Sequence, residues 1–254
     1  MKILFFGDVV GRSGRQALSR HVQDLKTSLN ADVVVANGEN SAGGLGINRK
    51  AVEEILNCGV DVITTGNHAF HWKEWKDVYE NYPMVVFPAN YPDMQDRSCY
   101  SVKGLTVINL QGRVFMDCID NPFSSVKNVL RRLDKETIKL VDFHAEATSE
   151  KIAMGYFLDG RVDAVVGTHT HVQTADEKML PNGTLYISDV GMTGPYDNSV
   201  LGMDKEAVIG KFLNNRPVRY ELAKGRNIIN GVFINISDSE RSITRISFLE
   251  QGED

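Results

Sequence analysis

Five apolar runs in this chain each end in a polar residue of metal-ligand type. They are KILFFGD, ending at Asp8; DVVVANGEN, at Glu39 and Asn40; DVITTGNH, at Asn67 and His68; IKLVDFH, at His144; and DAVVGTHTH, at His169 and His171. A continuous Val/Ile/Leu run is how a strand buried on both faces of a parallel sheet reads, whereas a half-exposed strand alternates. Ligands of open α/β sheets bind beyond the carboxyl ends of such strands. Carboxylates, amides and imidazoles at that place in five remote segments predict a shared polar site, which core packing alone would not require.

The chain of 254 residues can bury a full core as one large domain or two small ones. A formal charge of -5 argues against a broad basic face for nucleic-acid backbone. Cys58, Cys99 and Cys118 are odd in number and lack metal-type spacing, which favours free thiols in a reducing compartment. After Met1-Lys2 the apolar stretch is interrupted by Asp8, Arg12 and Arg15, so it reads as a first strand rather than a signal peptide. No stretch approaches the roughly 18 apolar residues of a membrane span. The expected location is the cytoplasm, with no membrane partner.

Strand-like runs fall near 2–6, 32–36, 61–65, 84–87, 105–110, 137–143 and 162–167, and helical patterns near 12–29, 48–57, 70–81, 122–133 and 148–158. Strand and helix in alternation predict βαβ units around a parallel sheet. The remainder changes character, with strands expected near 184–188, 217–222, 229–236 and 243–248 and one helix near 204–213. We expect one domain over 1–254: an α/β sandwich of two mixed sheets with helices outside. The segment 195–226 is the expected excursion, as a small cap or a subunit contact in a homo-oligomer.

Hydrolysis of a phosphate ester needs a nucleophile at neutral pH and relief of its repulsion from the anionic substrate. Two metals about 3.5–4 Å apart supply both. Glu39 is the natural bridge, because its two oxygens can serve two ions, and Asp8 is the terminal carboxylate of the first. His169 and His171 lie two apart as the chain leaves a strand, where i and i+2 point the same way, so one can reach each metal. Asn67 and His144 complete the second metal. Asn40 either adds its amide oxygen to the first or caps the turn at Ser41-Ala42-Gly43-Gly44. Two divalent ions bring about +4 and the two carboxylates about -2, leaving a centre suited to a hydroxide and a phosphodiester anion. His68 reads as an unligated imidazole near the N-terminus of a helix starting around residue 70, where it can donate a proton to the leaving oxygen or hydrogen-bond the phosphoryl group.

These residues resemble the calcineurin-like metallophosphoesterases, and within them the YmdB-like branch. The superfamily's Asp-x-His, GD, GNH, lone His and G-H-x-H elements correspond to GDVVGR, GEN, GNH, DFHAEA and GTHTH. The absence of a His after Asp8 and the Glu at position 39 are marks of that branch. The likeness extends to FPANYP at 87–92, NLQGRVFM at 109–116, NPF at 121–123, LDGRVDAVVGTHTHVQTAD at 158–176 and LPNGTLYISDVGMTGP at 180–195. It implies a two-sheet αββα sandwich and a dinuclear centre of iron or manganese, with zinc also compatible. By position, Asp8, Glu39, Asn40 and His171 would hold the first metal. Glu39, Asn67, His144 and His169 would hold the second, with His68 as proton donor. The implied activity is hydrolysis of small phosphodiesters, including 2′,3′- and 3′,5′-cyclic nucleotides. The ligand set leaves open a phosphomonoesterase or nucleotidase, and a regulatory nucleotide-sensing protein with little turnover.

Two positions depart from the family pattern. Phe70-His71 follows GNH where Trp-Asp is usual, and Phe87 stands before Pro-Ala-Asn where an Arg is common. Trp72, Trp75, Tyr79 and Tyr82 recur at helical spacing, which reads as core. Gly11-Arg12-Ser13-Gly14-Arg15 reads either as a plain helix start with Ser13 near the cap or as an anion site served by Arg12 or Arg15. His21, on a polar helix face, reads as structural or solvated.

Overall fold

The computed structural model describes residues 1–134, 136–237 and 239–251. The first part of the chain forms β1 (Lys2–Phe6), β2 (Asp8–Val9), α1 (Gly11–Leu29), β3 (Val33–Asn37), α2 (Arg49–Asn57), β4 (Val62–Thr64), α3 (Trp75–Asn81) and β5 (Val85–Val86). The middle forms β6 (Cys99–Val102), β7 (Leu105–Gln111), α4 (Pro122–Arg132), β8 (Ile138–His144), α5 (Thr148–Leu158), β9 (Ala164–Thr168), β10 (Lys178–Met179) and β11 (Leu185–Ile187). The last part forms β12 (Met192–Pro195), β13 (Ser199–Val200), β14 (Met203–Asp204), α6 (Lys205–Asn214), β15 (Asn227–Ile236) and β16 (Arg241–Leu249).

Two main sheets result. One has the order β2-β12-β15-β1-β3-β4-β5 with β16 on β15, and the other has β10-β11-β9-β8-β7-β6. The runs read as doubly buried are doubly buried. Ile3, Phe5, Val33 and Val35 meet Val107, Leu140 and Val166 between the sheets. The alternate residues Leu4, Phe6, Val34 and Ala36 pack under Leu18 and Val22 of α1 and Val52 and Ile55 of α2. On the far side Ile108, Val141, Phe143 and Val165 pack under Val126 of α4 and Met154 of α5. This is the expected αββα sandwich. β1, β3 and β4 run parallel, as do β7, β8 and β9, so their carboxyl ends open on one edge of the molecule.

Several local expectations are corrected. No strand forms over 217–222; Leu222 makes an isolated bridge to Met203. Both edges of β15 are already taken, by β1 and β12 on one side and β16 on the other, so the segment finds no free edge there. The helix expected from residue 70 begins at Trp75, because Phe70 is drawn into a cluster with Trp75, Phe87 and Tyr91. The two departures from the family pattern, Phe70 and Phe87, therefore touch each other, with ring centroids 5.8 Å apart. Trp75, Tyr79 and Tyr82 pack on the core, while Trp72 is exposed and donates Nε1–H to Leu45 O. At α1 the cap is Val10 without a side-chain bond, and Ser13 does not cap. Arg15 is buried, binding Glu54 at 2.6 Å and the Ser41 carbonyl, so it is not free to hold an anion. His21 pairs with Glu250 at 3.0 Å.

The excursion over 195–226 carries the β13–β14 hairpin and α6, whose Asp204 cap accepts from the Glu206 and Ala207 amides. It lies against the loops at the carboxyl edge: a Cβ on Gly11 or Gly44 would strike Leu222 or Met203.

Candidate metal centre

All seven predicted ligands reach the common carboxyl edge. Asp8 follows Gly7, where a Cβ would come within 1.8 Å of the Gly191 carbonyl, so only glycine permits such a close approach. Asp8 is fully buried; Oδ2 accepts from the His169 amide at 3.0 Å, and Oδ1 has no hydrogen-bond partner among the described residues. Glu39 is also fully buried, and its Oε1 lies 3.0 Å from His144 Nε2 and 3.2 Å from Asn40 Nδ2. The Asn40 side chain faces His171 Nε2 at 3.0 Å, so it does not cap the following turn. Either end of that amide can be turned to the same point.

His144, His169 and His171 each present one nitrogen inward, and the other is fixed from outside. His144 Nδ1–H donates to Thr168 Oγ1 at 2.9 Å, and that hydroxyl donates to Asp142 Oδ1 at 2.7 Å. The hydroxyl has one proton, so Nδ1 carries the hydrogen and Nε2 keeps its lone pair. His169 Nε2 contacts Glu146 Oε2 at 3.0 Å, which leaves Nδ1 bare. His171 Nδ1 donates to Leu201 O at 2.9 Å, which leaves Nε2 bare. Such outer partners fix imidazole orientation in metal sites.

The bare atoms then collide in sign. His144 Nε2 lies 3.0 Å from His169 Nδ1, 3.1 Å from Asn67 Oδ1 and 3.0 Å from Glu39 Oε1. Four lone pairs converge, and something positive must sit among them. With protons alone, burial pushes His144 down but the Glu39, Asp8 and Asp142 carboxylates override it and raise it to about 9. Burial and the adjoining His144 cation push His169 down to about 3. Burial raises the Asp8 carboxyl. Burial also opposes ionisation of Glu39, yet His144 and His68 hold it well below the usual range. Ligand atoms of Glu39, His144 and His169 all lie within 4.8 Å of one another, a group that could hold a metal ion. At Gly66 a Cβ would fall 2.2 Å from both Glu39 Oε2 and the His144 ring, inside the same space. Donor chemistry, the unpartnered Asp8 oxygen and this reserved volume fit divalent cations.

The two histidines of GTHTH do not reach the site as i and i+2 of a strand. β9 ends at Thr168, and His169 and His171 have φ of +104° and +65°. Such backbone is costly for a residue with a side chain and persists where its surroundings enforce it. Asp189 enforces it here: Oδ2 accepts from Thr170 N and Oγ1 and from Lys151 Nζ at 2.6 Å, in a buried ion pair. His68 sits in turns that precede α3, about one-third exposed, with Nδ1 3.3 Å from Glu39 Oε1. His71 is exposed, edge-on to Trp72.

Several supporting residues had not been singled out: Asp142, Thr168, Glu146, Asp189 and Gln111. Asp142 had a readable signal, since it stands two residues before His144 in a strand. Burial pushes it up to about 6 against the lowering by His144, Thr64, Asn37 and Thr168. Gln111 is the register partner of His144, and it is fully buried beside the site. Asp189 and its partner Lys151 carry no local signal.

A two-sheet αββα sandwich with such a cluster beyond its parallel strands defines a metallophosphoesterase-type hydrolase. The chain belongs to the YmdB-like protein family, whose sequence pattern matches residues 4–249. It is 45% identical over 260 residues to the 2′,3′-cyclic-nucleotide 2′-phosphodiesterase of Bacillus subtilis strain 168, covering 100% of this chain and 98% of that protein. A crystal structure of a hypothetical protein from Thermus thermophilus superposes with a TM-score of 0.92 at 38% identity, covering 99% of this chain and 100% of that one. A Mycoplasma pneumoniae protein described as a novel phosphatase gives 0.91 at 32% identity, over 99% and 94%.

Proposed function

We propose that this protein is a dinuclear-metal phosphodiesterase of small phosphodiesters, with 2′,3′-cyclic nucleotides as the leading substrates and 3′,5′-cyclic nucleotides as further candidates. The observation that carries this is the fully buried Glu39 carboxylate, shared between two groups of inward-facing donors. We assign Asp8, Asn40 and His171 to one group and Asn67, His144 and His169 to the other, with Asp8 Oδ1 3.9 Å from His171 Nε2 and 3.8 Å from His144 Nδ1. The first group with Glu39 would hold one ion and the second with Glu39 the other. Bound there, divalent ions would supply Lewis acidity and a deprotonated water. Carboxylate, amide and imidazole donors without thiolate suit iron or manganese, and zinc is compatible. A cytoplasmic setting fits the three free cysteines, and no helix among the described residues is long and apolar enough to cross a membrane.

The chain's own contribution is proton management and orientation. Hydrolysis adds water oxygen to phosphorus and breaks a P–O bond to the sugar, so the departing oxygen must gain a proton. His68 is partly exposed beside Glu39, with Nδ1 3.3 Å from Glu39 Oε1 and Nε2 3.2 Å from the Asn67 amide nitrogen, within reach of the candidate centre. It donates that proton, while the Asp142–Thr168 pair keeps His144 in one tautomer.

The test is turnover of adenosine 2′,3′-cyclic phosphate with metal content measured alongside. Chelation should abolish activity, and Mn²⁺ or Fe²⁺ should restore it. His68→Ala should keep both metals and lose about 10²–10⁴-fold in kcat. Full turnover by metal-free protein would refute the metal reading, and an unimpaired His68→Ala would remove His68 from its role. Comparing bis-p-nitrophenyl phosphate with p-nitrophenyl phosphate separates a diesterase from a monoesterase.

A further inference from the structure

Beside the candidate centre, and sharing His171 with it, lies a cavity of about 760 Å³. His171 forms part of its wall, as do Met192 of β12, Asn230 of β15, and Tyr196 and Lys205 of the excursion. Met192 is the register partner of Asp8, so the cavity begins one strand away from a proposed ligand. Its volume falls within the roughly 300–1,000 Å³ of small-molecule sites.

We propose that this cavity receives the nucleoside part of the substrate while the phosphodiester occupies the neighbouring centre; this rests on the phosphodiesterase reading above. Two amides in the wall make the case by contrast. Gln173 Nε2 donates to the carbonyls of Val190, Gly231 and Ile246, so it is committed to holding strands together. Asn230 is only 3% exposed, yet its Oδ1 has no partner among the described residues. The Asn230 amide, which can be turned either way round, is thus not tied to the fold as Gln173 is, and the edge of a nucleobase offers both donors and acceptors. Tyr196 adds a flat ring that is 49% exposed, with its backbone N–H fixed to Arg226 O at 3.0 Å. An exposed aromatic face on an anchored backbone suits base stacking. Lys205 brings a cation, oriented by Asn198 Oδ1 at 2.8 Å, to the same wall. The excursion thus acts as the substrate-facing half of a pocket whose other half is the sandwich itself.

The test uses metal-reconstituted full-length protein with two diesters: adenosine 2′,3′-cyclic phosphate, and bis-p-nitrophenyl phosphate, which has no base or ribose. Tyr196→Ala should lower the ratio of kcat/KM for the nucleotide over that for the synthetic diester by about tenfold, mainly through KM. Tyr196→Phe should restore the ratio, and Asn230→Ala should lower it in the same direction. A ratio within about twofold of wild type for both alanine variants overturns the proposal. Should the wild-type protein hydrolyse neither diester, the phosphodiesterase reading fails by itself. The cavity is then judged by adenosine 3′-monophosphate binding in a calorimeter. A Kd weakened about tenfold by Tyr196→Ala upholds it, and an unchanged Kd overturns it.

Discussion

Three strands of this sandwich begin just after an aspartate and lead to a candidate ligand, and their two ends treat polar groups in opposite ways. At the amino ends, Asp32 accepts from Lys2 N at 2.7 Å, Asp61 from Val34 N at 2.9 Å and Asp163 from Lys139 N at 2.9 Å. Cations close the remaining valences: Lys103 reaches Asp61 at 2.9 Å and Arg241 reaches Asp163 at 3.0 Å. At the carboxyl ends, Asp8 keeps an oxygen without a hydrogen-bond partner among the described residues, and three further lone pairs crowd around that of His144 Nε2. The amino ends are complete without help. The carboxyl ends leave donors facing one another, which is the arrangement the proposed metal centre would use. An unpaired buried charge destabilises a fold, so donors left facing one another at this end fit the proposal that the site is kept for function rather than stability.

The contrast can be broken most forcefully at Glu39. Glu39→Gln removes the shared carboxylate charge and should cost at least about 10³-fold in turnover, the equivalent of several kcal/mol. Its metal content should also fall below that of the wild type. Two retained metals and normal activity would show that Glu39 is not the bridge.

Thr168→Val cuts the link from Asp142 to His144 and should weaken metal affinity about 10–100-fold. Thr168→Ser, which keeps the hydroxyl, should restore it; a serine variant as weak as valine would mean that packing rather than tautomer control is at stake. At the opposite end, Asp61→Ala removes an acceptor and an ion-pair partner and should lower stability by about 2 kcal/mol in urea titration. Metal content should not change, and a loss of metal here would dissolve the distinction between the two ends.

The smallest effect concerns pH. Burial opposes ionisation of Glu250, but Arg20, Asn227 and His21 outweigh it and hold its carboxyl below the usual value. A carboxyl depressed on folding contributes stability above its unfolded value, and that contribution disappears as pH falls through the folded one. Glu250→Gln should therefore cost about 1 kcal/mol near neutrality. The gap from wild type should close as pH drops below the ordinary glutamate value of 4.5. A gap that persists in strong acid would assign the effect to packing.

Much of the sandwich was legible because burial on both faces leaves a run that admits few polar residues, so Asp8, Glu39, Asn67 and His144 stand out where such runs stop. The excursion was harder. Residues 217–222 read as a strand by composition, but strand pairing is a property of available edges, and β15 has none left to offer. Likewise the helical stripe from Trp72 to Tyr82 gave the right face for Trp75 and Tyr79 but the wrong start, since Phe70 gains more from Phe87 and Tyr91 than from a helical turn.

The amino-acid order alone determined which residues lie at strand ends and hence the inventory of donors, because the pattern of burial is written locally. Tertiary structure decided how those donors are oriented. The His144–Thr168–Asp142 chain, the Lys151–Asp189 pair that bends GTHTH into left-handed backbone, and the cavity shared by His171 and Tyr196 all join residues from separate segments. A hydrogen bond between remote segments leaves no period in the sequence, so its partners become visible only once the sheets have stacked.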